Sequence, residues 1–274
     1  MKFKIAVVQM EIRQYEAEAN LRKAEDYIKK AAQSGANIIV FPEDFVTGPI
    51  ERRRDLADSK KEFRDHFQKL AIKNKIDIVP GSFIEKQGAF LYNVAYYITS
   101  EGEVTGEYRK INLWHPERPY IKPGKKPVVF NTKYGKIGLI ICWDLIFPEI
   151  FREMLKEDVK IVICPSYWCY GDADKGQRYN KDSEVDLVNA TCVTRAFENE
   201  IVMIYCNAAG KLKLGNFEDR LIGRSQITMP FKGSVKRLNH NEEEMFIQEI
   251  EPNNILKDAE SVYKIRKDLK KRVL

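Results

Sequence analysis

Histidine is scarce in this chain. There are three, His66, His115 and His240, and no two lie close in sequence. A histidine general base or a histidine-rich metal centre has little to draw on. The five cysteines, at 142, 164, 169, 192 and 206, are odd in number and include no C-x-x-C pair. That pattern argues against both a disulfide framework and a zinc site. A Gly-rich phosphate loop, a linker tract, an internal repeat and an apolar run of membrane-spanning length are also missing. The opening stretch, Met1 to Met10, turns polar too soon for a signal peptide and reads better as a first strand. The expectation is a soluble, reduced, cytoplasmic protein that binds no metal.

What is present can bury a core. With 274 residues and 44% hydrophobic side chains, one large α/β domain is expected over residues 1–260. The net charge of +6 gathers in the tail, Lys264 to Arg272, so residues 261–274 read as a basic extension. No aromatic residue is interleaved with those charges. A solvated helix is therefore expected there, with neither nucleic acid nor membrane as a partner.

The hydrophobic periods alternate between strand and helix. Ile5 to Gln9 reads as a strand, Asn20 to Ser34 as a helix stopped by Gly35, and Asn37 to Phe41 as a second buried strand. This β-α-β unit implies parallel pairing. A helix over Lys60 to Asn74 leads to a strand over Ile76 to Phe83. A hairpin follows from Leu91 to Tyr108, turning at Ser100-Glu101-Gly102. Further on come a strand at Lys160 to Ser166, a helix at Ser183 to Asn199 and a strand at Ile201 to Asn207. Three short strands, near 225–229, 233–237 and 244–250, close the domain. Helices layered outside two stacked sheets are the expected α/β arrangement.

The chemistry centres on Ile137 to Glu149. A buried strand ends at Ile141, Cys142 follows at once, and Pro148 opens a helix. Cys142 is thereby placed on a strand-to-helix elbow, where backbone N–H groups are free. Taken alone, a cysteine at a strand end is most simply a small buried hydrophobe. Two other strand ends change that reading, because Glu43 follows one and Lys110 follows another. Ligands of open α/β sheets collect at such ends. A thiol nucleophile, a carboxylate to move its proton and an ammonium to hold an oxyanion form a complete set for attack on an acyl carbon.

The motifs Phe41-Pro42-Glu43, Tyr108-Arg109-Lys110 and Ile141-Cys142-Trp143-Asp144 with Phe147-Pro148-Glu149 occur in the order found in the nitrilase superfamily of carbon–nitrogen hydrolases. Arg195 to Asn199 and Asn207 to Gly210 add to the resemblance, which covers nearly the whole chain. It implies a four-layer α-β-β-α sandwich, no cofactor, and a homodimer or higher homo-oligomer. It also implies Glu43 as general base, Lys110 as oxyanion donor and Cys142 as nucleophile, with the Trp143 backbone N–H completing the oxyanion hole. Glu117, ahead of Pro123-Gly124, resembles the second glutamate of amidase-type members. Glu149 and Asp144 read as structural, fixing the elbow.

The implied reaction is hydrolysis of a small carboxamide or N-carbamoyl amine, with nitrile hydrolysis or a non-catalytic scaffold as alternatives. Cys142-Trp143-Asp144 is similar to carbamoyl-amine amidases, since nitrilases proper usually have Glu at the position of Asp144. The loop from Ser166 to Arg178 is expected to wall the pocket with Tyr167 and Trp168. Arg178 would clamp a carboxylate, whereas Asp172 or Asp174 would hold an amine. These assignments predict opposite substrate charges, and the sequence leaves both open.

Overall fold

Alternation along the first strand sets the layers. In the computed structural model, which describes residues 1–51, 53–214 and 217–271, β1 spans Phe3–Gln9. Its Ile5 and Val7 join one apolar cluster, while Ala6 and Val8 join another. The second cluster lies under α1 (Ala17–Gln33) and α2 (Glu62–Asn74), through Ala24, Ile28, Phe67 and Leu70. The first cluster fills the space between the two sheets. Strand residues thus point by turns to helices and to the facing sheet, as period-two side chains must.

The first sheet continues with β2 (Ile38–Val40), β3 (Asp77–Val79), β4 (Ser82–Gln87), β5 (Phe90–Ile98) and β6 (Val104–Arg109). Strands β1, β2 and β3 run parallel, and β5 and β6 form the expected hairpin. The second sheet draws on β7 (Val128–Thr132), β8 (Gly135–Leu139), β9 (Ile161–Ser166) and β10 (Val202–Asn207). Between these strands come α3 (Pro148–Lys156) and α4 (Ser183–Glu198). The chain then forms a two-stranded hairpin, β11 (Lys211–Leu214) and β12 (Phe217–Arg220). After it come β13 (Gln226–Met229), β14 (Gly233–Arg237) and β15 (Glu244–Ile250). Last are α5 (Pro252–Tyr263) and α6 (Ile265–Lys271). The strand orders are β15-β1-β2-β3-β5-β4, with β6 on β5, and β14-β13-β10-β9-β8-β7. The result is a four-layer α-β-β-α sandwich.

Differences from the sequence reading have local causes. The single strand expected over Ile76 to Phe83 is split between β3 and β4 at Pro80-Gly81. Pro80 has no N–H for a ladder. Gly81 has φ +61°, and a Cβ there would sit 1.8 Å from the Pro42 carbonyl oxygen. Helix α1 begins three residues before Asn20, whose side chain bonds Arg13 and the Val46 carbonyl from inside the fold. Helix α5 runs across residues 260 and 261. In α6, Arg266 is 3% exposed and bonds the Val159 carbonyl at 2.9 Å. That part of the basic extension is docked on the domain, while residues 272–274 lie outside the described residues. No helix among the described residues is long and apolar enough to cross a membrane.

Candidate active site

The loop after β2 is anchored before it is functional. Phe41 and Phe45 are fully buried with ring centroids 5.0 Å apart, and Phe67 of α2 packs 5.8 Å from Phe45. Burial of each ring contributes about 1.5–3 kcal/mol, which fixes the segment between them. That segment carries Glu43, whose amide donates to the Ser166 carbonyl at the end of β9. The loop therefore bridges the mouths of both sheets.

Lys110 extends β6, its amide bonding the Asn93 carbonyl on β5 at 2.9 Å. Its own carbonyl accepts from Gly124 at 2.8 Å. A Cβ on Gly124 would approach the Arg109 carbonyl oxygen to 2.2 Å, so only glycine permits the contact. The Pro123-Gly124 step thus locks the strand end that presents Lys110.

Cys142 opens a 3-10 turn with φ +48°, a left-handed conformation that strains any residue with a Cβ. Asp144 holds that elbow. Its buried carboxylate accepts from Ile141 N (3.0 Å), the Tyr108 hydroxyl (2.8 Å), Asn112 N (2.8 Å) and Asn112 Nδ2 (3.0 Å). One side chain therefore ties the Cys142 elbow to the strand end bearing Lys110. Asp144 has the structural placement expected of it.

The three side chains converge with Glu117. Lys110 Nζ lies 2.8 Å from Glu43 Oε1 and 2.8 Å from Glu117 Oε2. Asn93 Nδ2 donates to Glu43 Oε1 at 2.8 Å and to Glu117 Oε1 at 3.3 Å. Glu117 also accepts from Trp114 N at 2.7 Å, which fixes it within its short turn. Cys142, Glu43 and Tyr167 line one cavity, and the Cys142 thiol is near enough to Glu43 for each to shift the other's proton equilibrium. Lys110 is 2% exposed and Glu43 3%.

Burial governs the proton equilibria here. It raises the Glu43 carboxyl despite the opposing Lys110 charge, and it raises the Cys142 thiol, with the Glu43 charge adding. The thiol is therefore neutral at rest and needs a base, and Glu43 is a stronger base than a solvated carboxylate. Burial alone would lower Lys110. The charges of Glu117 and Glu43 outweigh it and hold the ammonium well above its ordinary value.

These groups floor a cavity of about 310 Å³, near the low end for small-molecule sites. Its walls include Trp143, Tyr167 and Trp168, and Trp168 is pinned by its Nε1–H donating to Glu184 at 2.6 Å. Arg178 is not brought to the cavity. The chain after Trp168 coils through 3-10 turns (Tyr170–Arg178) kinked at Asp174, leaving Arg178 and Asp174 exposed. Of the charged residues considered in that loop, Asp172 alone reaches the wall. The expected carboxylate clamp by Arg178 is corrected accordingly.

Lining or bracing residues that escaped the sequence reading include Asn93, Asp44, Tyr120 and Asp219. Asn93 had a signal, as a polar residue at an inward position of an otherwise apolar alternation (Leu91, Ala95, Tyr97). Asp219 had none, because it arrives on the β11–β12 hairpin.

Burial, with Asp219, Glu184 and Glu43 adding, pushes Asp172 up to about 7, against the Cys169 N–H that lowers it. The folded chain binds this proton more tightly than the unfolded one. Its stabilising contribution is complete below 3.8, the unfolded value, and is lost as pH rises through about 7. Melting temperatures of wild type and Asp172→Asn across pH 4 to 8 check this. The wild type should lose stability relative to the variant over that range, and parallel curves would contradict it.

A model of the carbon-nitrogen hydrolase family matches residues 4–258. The chain belongs to the carbon-nitrogen hydrolase family. A probable nitrilase of Schizosaccharomyces pombe is 31% identical over 89% of this chain and 86% of its own. A 2-oxoglutaramate amidase of Bacillus subtilis is 28% identical over 98% of this chain and the whole of its own. The crystal structure of a Helicobacter pylori carbon-nitrogen hydrolase, at 20% identity, superposes with a TM-score of 0.89 over 97% of this chain and 94% of that one. The likeness is one of fold. This hydrolase is an enzyme of the amidase and nitrilase type.

Proposed function

We propose that this hydrolase cleaves a small carboxamide or an N-carbamoyl amine through a thioester on Cys142. The observation that carries the reading is that Cys142 lines one cavity with Glu43, Lys110 and Glu117, whose carboxylates and ammonium form one hydrogen-bonded chain. Glu43 takes the thiol proton as sulfur attacks the carbonyl carbon, forming the C–S bond. The oxygen that becomes negative is held by the Lys110 ammonium and the Trp143 N–H. Glu43 then returns the proton to the nitrogen as the C–N bond breaks, and ammonia leaves. Water attacks the thioester, Glu43 receives its proton, and breaking of the C–S bond regenerates the thiol with the acid as product. Glu117 is the positioning residue for Lys110.

Nitrile hydrolysis by the same groups is the second reading. The S. pombe relative's name supports it, and Asp144 beside Cys142-Trp143 speaks for amides. Ammonia release from carboxamides, N-carbamoyl amines, N-carbamoyl acids and nitriles separates the two readings. Carboxamides or N-carbamoyl amines should be turned over at least tenfold faster than nitriles of equal length. A nitrile as the best substrate would replace the amide reading.

A further inference from the structure

Apart from Glu43, Lys110 and Glu117, the charged residues among the described lining of the cavity are of one sign. Asp44, Glu51, Asp172 and Asp219 all reach it. Among the described lining residues Lys110 is the one cation, and Glu43 and Glu117 already engage it. Asp44 stands out. It is 7% exposed, yet its Oδ1 has no hydrogen-bond partner among the described residues. A buried acceptor left in that state costs about 1–3 kcal/mol, more when charged. Nothing in the fold needs that carboxylate, since only the Asp44 backbone is used, its amide donating to the Ser82 carbonyl and its carbonyl accepting from Gly48 N.

We propose that these carboxylates form a subsite for an organic cation, so that the preferred substrate is a linear amide or N-carbamoyl amine whose far end is an ammonium. The inference rests on the thioester reading only for where the scissile bond lies. The ammonium would give Asp44 Oδ1 the donor it lacks. Asp219 supplies a second carboxylate, held rigidly by Gly171 N at 3.0 and 3.1 Å. Tyr167, Asp44 and Asp219 line the same cavity. Trp114, Trp143 and Trp168 line the same cavity with ring faces that favour a cation. A cation would also relieve Asp172, whose carboxyl burial drives upward. A tail ending in a carboxylate would meet like charges and, among the described lining residues, no free cationic partner.

The test compares three N-carbamoyl amines of matched length: N-carbamoyl-1,4-diaminobutane, pentylurea and 5-ureidopentanoate. The ammonium compound should have a kcat/KM about tenfold or more above the neutral one, with the carboxylate lowest. In Asp44→Asn, which keeps shape and removes charge, the ratio of cationic to neutral substrate should fall toward one. Equal or better turnover of pentylurea or 5-ureidopentanoate by the wild type would overturn the subsite, as would an unchanged ratio in the variant. Binding of 1,4-diaminobutane to Cys142→Ala protein, with and without Asp44→Asn, reads the subsite without turnover. Binding weakened tenfold by Asp44→Asn while no amide is cleaved by the wild type would keep the subsite and remove the thioester reading. No binding dependence on Asp44 would remove the subsite itself.

Discussion

Replacing Cys142 with alanine should lower ammonia release by about a millionfold, to the background of the assay, while the fold survives. Loss of a nucleophile that acts as one unit with its base has effects of that size. The fold should survive for a local reason. Position 142 has φ +48°, and alanine carries the same Cβ as cysteine, so the strained elbow is no more strained in the variant. The contacts that hold the elbow belong to Asp144, Tyr108 and Asn112, none of which touches the sulfur. Circular dichroism and a melting curve would report the fold, and intact mass would report the thioester. Wild-type protein given a slow amide should gain the mass of an acyl group, and the variant should gain nothing. Ammonia release by Cys142→Ala within a hundredfold of wild type would mean that another group attacks the carbonyl.

The placement of Cys142 was legible because the local signals agreed. A buried strand, a break and a Pro-led helix specify an elbow, and β8, the 3-10 turn and α3 supply it. The same agreement made Glu43 and Lys110 visible, since each follows a strand whose hydrophobic run ends abruptly. Glu43 and Lys110 follow strands of the first sheet and Cys142 follows a strand of the second, so their meeting also requires the two sheets to stack with those strand ends together. The distances among them depend on features with weaker signatures. Gly81 and Gly124 matter through what a Cβ would strike, the Pro42 carbonyl and the Arg109 carbonyl, and those neighbours are set by tertiary contact.

The substrate end of the cavity was less legible, for a related physical reason. Side chains near a strand end inherit their direction from the sheet, so Tyr167 and Trp168, just after β9, reach the cavity as expected. Ten residues further, the direction is set by turns, and the kink at Asp174 carries Arg178 into solvent. The opposing wall, with Leu212 and Asp219, comes from a two-stranded hairpin outside both large sheets. Its strands are four residues each, too short for hydrophobic period to identify.

The second large effect is expected at Lys110, and it should appear in both rate and stability. Lys110→Ala removes the ammonium that holds the oxyanion, a loss of about a hundredfold to a thousandfold by itself. It also removes the charge that partners Glu43 at 2.8 Å, so the base meets Glu117 with no cation between them. Glu43, already raised by burial, loses the Lys110 charge that lowers it and is pushed further up, which takes the base out of action toward neutral pH. The rate loss should therefore exceed the oxyanion contribution and reach about ten-thousandfold. Breaking a buried ion pair by deleting one partner costs about 3–5 kcal/mol, and here two carboxylates are left behind. The pH dependence gives the argument its sharpest edge. In wild type, Glu43 and Glu117 are balanced by Lys110. In the variant, the pair left without a cation is relieved by protonation, so the deficit in melting temperature should shrink as pH is lowered from 8 to 5. A deficit that is the same at both pH values would assign the loss to packing of the lysine stem alone. A rate within tenfold of wild type would place the oxyanion at other donors.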